Sequence, residues 1–252
     1  MRLFKALLIA LVLVGPARAG ELPSTVAVRS MEAAMLLYRY VGGIAASGGL
    51  PDYTRPPAAD WFRMAFDVDA LATLPPPQVG DVTLMQTWGY AADQTTKAIL
   101  RNGAKPAVNV DDATIARNVE RFEDQYAVAA DFTIRVKARE ATAYALFLDS
   151  LGAEQSAPIR AGHTARARST AAEMIERLLA PFVAPVGNGV KPATARRVTA
   201  ALRDTRAVWA AFIAPDVRWP IHDLAEQAMH GTTDEEARRN LASFSAALVA
   251  AK

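Results

Sequence analysis

The chain predicts an all-α fold: about eight helices forming a multi-helix domain around one long central helix, at about residues 111–151. Three observations carry this. The longest segment free of Pro and Gly lies between Pro106 and Gly152. Apolar residues recur at helical spacing through most of the chain, and no segment alternates convincingly as a strand does. Clusters of Pro and Gly then cut the remainder into helix-sized pieces.

The central segment reads as one helix, straight or bent, of about 40 residues and so about 60 Å long. Asp111 or Asp112 is placed to cap its first turn, where a short side-chain oxygen accepts from free backbone N–H groups. Gly152 is placed to stop it in a left-handed turn. Ile115, Val119, Phe122, Tyr126, Ala129, Thr133 and Val136 recur at alternating spacings of four and three, which makes one apolar face. Continued, the stripe meets Glu140, then Tyr144, Phe147 and Leu151. Val128, Phe132, Ile134, Leu146 and Leu148 lie off the stripe, so the second half is apolar on more than one side and is expected to be enclosed by neighbours.

Three helices are expected before it. Ser24 or Ser30 caps the first, whose apolar residues run from Met31 to Val41 and which Gly42-Gly43 ends. A loop dense in Gly and Pro follows, residues 47–57. Ala58 to Leu74 carries Trp61, Phe62, Met64, Phe66 and Leu71, and Pro75-Pro76-Pro77 stops it. Leu84, Trp88, Ala91, Ala92, Thr95 and Ile99 form the third stripe, ending near Gly103. After the central helix, Ala157 to Leu179 reads as a helix with an uncertain start, because Gly162 lies inside it. Ala193 to Ala214 follows, broken by Pro215. Pro220 suits the first turn of a short helix ending near His230 and Gly231. The last helix spans Thr233 to Ala250, where Thr232 or Thr233 with Glu235 or Glu236 forms a capping box. Residues 152–162 mark the one place where a subdomain boundary is expected within a single domain, 20–252.

The first nineteen residues stand apart. Arg2 and Lys5 are followed by a short apolar run, Ala6 to Val14, and then by the small-x-small sequence Ala17-Arg18-Ala19. This is the pattern of a signal peptide cut before Gly20, and it predicts export to the periplasm, or secretion. The apolar run is too short to span a bilayer as a helix, and no other segment is apolar enough, so a soluble mature protein is expected. Residues 1–19 hold three of the 28 basic groups and none of the 26 acidic ones, which leaves 25 against 26. The basic isoelectric point belongs to the leader, and nucleic acid is not an expected partner. The chain has no cysteine. That excludes stapling by disulfides, a thiol nucleophile and an ordinary haem attachment motif.

Few residues offer chemistry. Glu140 faces the expected core, where a carboxylate must be paired, protonated or ligating. It is a candidate catalytic acid, and pairing with Lys137 is the plainer reading. Asp131, Arg135 and Arg139 follow at i, i+4 and read as a solvated, stabilising row. His222, Glu226 and His230, with Asp223 beside the first, place imidazoles and a carboxylate along one helix face and are candidate zinc or iron ligands, with His222 also a candidate catalytic base. Two arguments oppose a metal there. At 100° per residue they lie opposite Ile221, Ala225 and Ala228, and His222 and His230 are about 12 Å apart along the axis. No metal is therefore expected. Arg160, His163 and Arg166, with Arg168, form a candidate anion site, since a guanidinium matches phosphate or carboxylate. Tyr53, Trp61, Phe62 and Phe66 either line an apolar pocket or belong to the core. The chain has no G-x-S-x-G, S-x-x-K, P-loop or G-x-G-x-x-G sequence. The leading expectation is a non-enzymatic periplasmic protein without cofactor, binding an envelope protein or an apolar small molecule. The alternative is a periplasmic enzyme or metal-binding protein using His222, Glu226 or His230 with an acidic partner.

Overall fold

The computed structural model describes residues 22–103, 111–167, 171–183 and 190–250, and the signal-like leader lies outside these. Within them the chain is all-α, with no strand. The helices are α1 (Leu22–Ala46), α2 (Ala58–Ala65), α3 (Val68–Thr73), α4 (Val82–Leu100), α5 (Asp112–Arg121), α6 (Glu123–Ser150), α7 (Ala153–Ala167), α8 (Glu173–Val183), α9 (Pro192–Phe212), α10 (Pro215–Gly231) and α11 (Glu235–Ala250).

The central segment forms as its stripe requires, with one interruption. Asp111 caps α5, its carboxylate accepting from the Thr114 N–H at 2.7 Å. All seven stripe residues from Ile115 to Val136 are buried. At Phe122, however, the backbone leaves the helical region (φ −116°, ψ 38°), and the expected single helix becomes α5 and α6. The Phe122 ring packs edge-on against Tyr53, 5.4 Å between centroids. That contact belongs to the fold and not to local propensity. Gly152 does not take a left-handed turn. Leu151 ends α6 in an extended conformation, and the Gly152 carbonyl accepts from Gln155 and Ser156 as α7 begins.

Helix α6 is the shared wall of two apolar cores. Tyr126, Ala130, Ile134, Ala138 and Ala141 belong to one, with Ile175, Leu178, Val198, Leu202, Trp209, Ile221, Leu241 and Phe244 from α8 to α11. Phe132, Val136 and Ala143 belong to the other, with Leu37, Phe66, Met85 and Trp88 from α1 to α4. A helix apolar on several sides must be covered on several sides, which is why neighbours surround it. The enclosure covers its middle, and Ala145 and Leu146 near its end are exposed.

Punctuation differs from the expectation where tertiary contacts intervene. Helix α1 runs through Gly42-Gly43 to Ala46 and is closed by a turn at Gly48 (φ +74°), where Gly48 and Gly49 donate to the carbonyls of Ala45 and Ile44. This paired closure satisfies the last carbonyls of the helix. Ser30 is interior to α1 and is no cap. Its hydroxyl donates to the Ala65 carbonyl at 2.7 Å and accepts from the Trp88 indole at 2.8 Å, tying α1, α2 and α4 together. Asp67 divides the expected helix 58–74 by capping α3 through the Ala70 N–H. Pro215 starts α10 at its first turn, and Pro220 sits inside it. Asp234 caps α11 by accepting from the Ala237 N–H, in place of the expected threonine box.

Of the expected helix 157–179, the first part lies in α7, which starts earlier at Ala153 and continues through Gly162, and the last part lies in α8. Gly162 is exposed, and a Cβ added there meets nothing within 4 Å. Glycine in a helix interior is destabilising by about 0.5–1 kcal/mol relative to alanine. Gly162→Ala should therefore raise stability by up to about 1 kcal/mol in urea unfolding, and a loss would show that the site is less open than this.

Candidate functional site

Among the described residues the buried charges Asp93, Glu123, Asp131 and Lys137 are all paired. Lys137 donates to the Glu140 Oε2 at 2.6 Å, with side chains 7% and 15% exposed. The pair lies against Gly89 of α4, where a Cβ would overlap the Glu140 carboxylate and the Lys137 stem. The missing side chain is what lets α4 and α6 approach with this pair between them. Glu140 is thus paired with Lys137.

The Asp131 row corrects the sequence reading. Asp131 is 5% exposed, so the row is not solvated. Its two carboxylate oxygens take Arg135 at 2.6 Å and Arg197 at 2.9 Å. Arg135 continues to Asp204 at 3.0 Å, and Arg203 joins Asp204 to the side-chain oxygen of Asn240. This network bridges α6, α9 and α11. Arg139 leaves it and donates to the Pro75 carbonyl.

On the histidine face of α10, two of the candidate residues meet a serine of α11. Ile221, Ala225 and Ala228 are fully buried in the core, as the helical angles required. His222 and Glu226 sit at the edge and meet Ser245 of α11. The Ser245 hydroxyl donates to Glu226 Oε1 at 2.8 Å and lies 2.5 Å from His222 Nδ1. A carboxylate only accepts, so the serine proton points at Glu226 and the imidazole Nδ1–H donates to the hydroxyl. In acyl transfer the imidazole stands between acid and serine and takes the serine proton. Here the serine stands between acid and imidazole, and Ser245 is 1% exposed. His230 and Asp223 are exposed and join neither group. No group of three or more potential metal ligands occurs among the described residues. Of the candidate anion site, Arg160 pairs with Asp149 at 2.9 Å, while the side chains of His163 and Arg166, and Arg168 altogether, lie outside the described residues.

The aromatic run packs with the core: Tyr53 and Phe66 are buried, Trp61 and Phe62 are half-buried against it, and Tyr53, Phe62, Phe66, Phe132 and Trp88 meet in a chain of tilted and edge-on contacts with centroids 5.0–5.8 Å apart. Burial pushes the Tyr53 hydroxyl far above its ordinary range, so it stays neutral.

A concavity among the described residues lies elsewhere. A cavity of about 550 Å³ opens where the C-terminal ends of α1 and α4 run side by side. Tyr38 and Ala98 give it apolar walls, and Gln94, Lys97, Arg101 and Asn102 give it polar ones. The turn after α4 shapes its floor. Asn102 (φ +49°) and Gly103 (φ +73°) are both left-handed, and Gly103 donates to the Ala98 carbonyl at 2.7 Å. A Cβ at Gly103 would lie 2.7 Å from the Ala45 Cβ and 2.8 Å from the Val41 carbonyl, so the turn seats against α1 only as glycine. Behind Lys97 stands Asp93, 5% exposed, which takes Lys97 at 2.7 Å on one oxygen and Arg177 of α8 on the other. Burial, with Asp93 opposing it, lowers the Arg177 guanidinium from its ordinary value, and Arg101 adds to the lowering. Sequence reading passed over this site. Its one local signal is Asn102-Gly103 after an apolar stripe, which marks a turn and says nothing of a cavity.

The class these features define is an all-α, multi-helix domain, and no helix among its described residues is long and apolar enough to cross a membrane. No protein-family model, curated protein or solved structure matches the chain.

Proposed function

We propose that the chain is an exported, non-enzymatic binding protein of the bacterial envelope, and that its ligand is a small molecule held between the ends of α1 and α4. The observation that carries this reading is the 550 Å³ cavity, within the range of about 300–1,000 Å³ usual for ligand sites and combining apolar walls with a few convergent polar groups. None of the candidate catalytic residues lines it: Glu140 is committed to Lys137, and His222 to Ser245. Export rests on the leader alone, through Arg2, Lys5, the run Ala6 to Val14 and Ala17-Arg18-Ala19.

The test is native mass spectrometry of the full chain, expressed with its leader in a bacterial host and recovered from the periplasm without a metal-affinity tag. The expected mass begins at Gly20 and carries an adduct that is lost on denaturation. The same adduct should be absent from Ala46→Trp, because Ala46 is an exposed wall of the cavity and an indole there would fill it. An adduct that persists in Ala46→Trp places the ligand elsewhere. A metal mass that disappears in His222→Ala would favour the enzyme or metal-binding alternative.

A further inference from the structure

Among the described residues, the cavity between the ends of α1 and α4 offers a ligand no uncommitted charge. Two of the residues lining it are cations, Lys97 and Arg101. The Lys97 ammonium is drawn to Asp93 at 2.7 Å, so what Lys97 lends the wall is chiefly its hydrocarbon stem. Arg101 has an interaction of its own. Behind them Asp93 also holds Arg177, on which Glu173 acts as well, so these charges are engaged within the protein. No carboxylate lines the cavity among the described residues, and a cation finds no partner at the wall. The carbonyl ends of α1 and α4 amount to about half a negative charge each at most, which opposes an anion and falls short of a partner for a cation. A charge carried out of water into such a site loses hydration without gaining a partner.

The rest of the wall supplies apolar surface and room. Gly42, Ala45, Ala46, Ala98 and Gly103 line it with nothing larger than a methyl group, beside the ring of Tyr38. Gly42 lies inside α1, where glycine costs stability relative to alanine. Gly89, Gly103 and Gly231 are each required by close packing, because protein atoms stand where their Cβ would be. A Cβ at Gly42 meets nothing within 4 Å. Packing does not call for glycine there, and its effect is to leave the space in front of α1 open as part of the cavity. Walls without branched side chains suit a flat ring, and Tyr38 gives it an aromatic neighbour.

Resting on the reading of this cavity as a ligand site, we propose that its ligand is an uncharged, largely apolar ring compound with at most one neutral polar group. The ring lies on the small residues of α1 and α4 beside Tyr38, where it loses apolar surface to water no longer. The polar group meets the uncharged polar atoms at the wall, the Tyr38 hydroxyl or the Gln94 amide.

The experiment is a fluorescence titration of the mature chain with two dyes that share one ring system. N-phenyl-1-naphthylamine is uncharged, and 8-anilino-1-naphthalenesulfonate carries a sulfonate on the same rings. The uncharged dye should bind with enhanced emission, and the sulfonate should bind weaker by about tenfold or more, since its charge is desolvated without a partner. 1-Naphthylmethanol should displace the uncharged dye, and 1-naphthylmethylammonium should do so only at about tenfold higher concentration or more, for the same reason. Gly42→Leu puts a side chain into the open space and should abolish binding of the uncharged dye. The variant should unfold at the same or higher urea concentration than the parent, because leucine is the better helix former, so loss of binding is not loss of fold. Ala46→Trp should abolish binding too. Gly43→Leu is the control, on an exposed residue of the same helix outside the cavity lining, and should leave binding unchanged. Either charged molecule matching its uncharged counterpart, with binding still lost in Gly42→Leu, would overturn the neutral assignment and leave the cavity standing as a ligand site. Dye binding that survives both Gly42→Leu and Ala46→Trp would overturn its placement here. No binding of the uncharged dye overturns the proposal, and the adduct test with Ala46→Trp then decides separately whether the cavity holds a ligand at all.

Discussion

Gly231→Ala is expected to be among the most damaging single-methyl additions to this protein, at about 3 kcal/mol or more, the upper end of what overpacking costs. Gly231 closes α10 where that helix crosses α8. A Cβ there would overlap the Phe182 carbonyl oxygen and crowd the Phe182 carbonyl carbon at 3.0 Å. The obstacle is backbone, held in a helix whose neighbours Leu178, Leu179 and Phe182 are buried in the core. It cannot retreat as a side chain does, so either α8 shifts or the end of α10 unwinds. Urea unfolding of the two proteins measures the difference. Addition of the same methyl at the open Gly162 is the control, and equal effects at both positions would refute the close approach of α10 to α8.

Phe132→Ala should lower stability by about 4 kcal/mol, from the lost transfer energy of a buried ring plus the cavity left behind. Phe132 is fully buried on α6 and meets Phe66 and Trp88 edge-on, 5.7 and 5.8 Å between centroids. It joins the central helix to α2 and α4, so its loss should loosen the core formed with α1 to α4 more than the one formed with α8 to α11. Hydrogen exchange would show this as faster exchange in α2 and α4. Leu146 on the same helix is 37% exposed, and its replacement by alanine should stay within about 0.5 kcal/mol. A Phe132→Ala loss as small as that would mean the ring does not hold these helices.

These two residues show where sequence reading stops. Phe132 and Leu146 both stand off the apolar stripe of the central segment and look alike in the sequence, yet one is core and the other faces solvent. Helical periodicity reports which residues share a face, and only the arrangement of neighbours decides which faces are covered. The partner of Glu140 was within reach because Lys137 lies three residues away on the same helix. The partners of Asp131 were not. Arg197 is 66 residues distant, and the reading as a solvated row had no means of finding it. The cavity is the extreme case, since Tyr38 and Lys97 come together only when α1 packs on α4.

Residue spacing was enough for the all-α class, the apolar stripe from Ile115 to Val136, a cap at Asp111 or Asp112, which the structure resolves as Asp111, and the inward face of Ile221, Ala225 and Ala228 on α10. Each depends on interactions within one or two helical turns, where residue spacing maps directly onto space. Tertiary structure decided the break at Phe122, the division of α6 between two cores, the bridge through Asp131 and the hydrogen-bonded order of Glu226, Ser245 and His222. Each of these depends on which residue of a distant helix arrives opposite, and that is set by how whole helices pack and not by the spacing along any one of them.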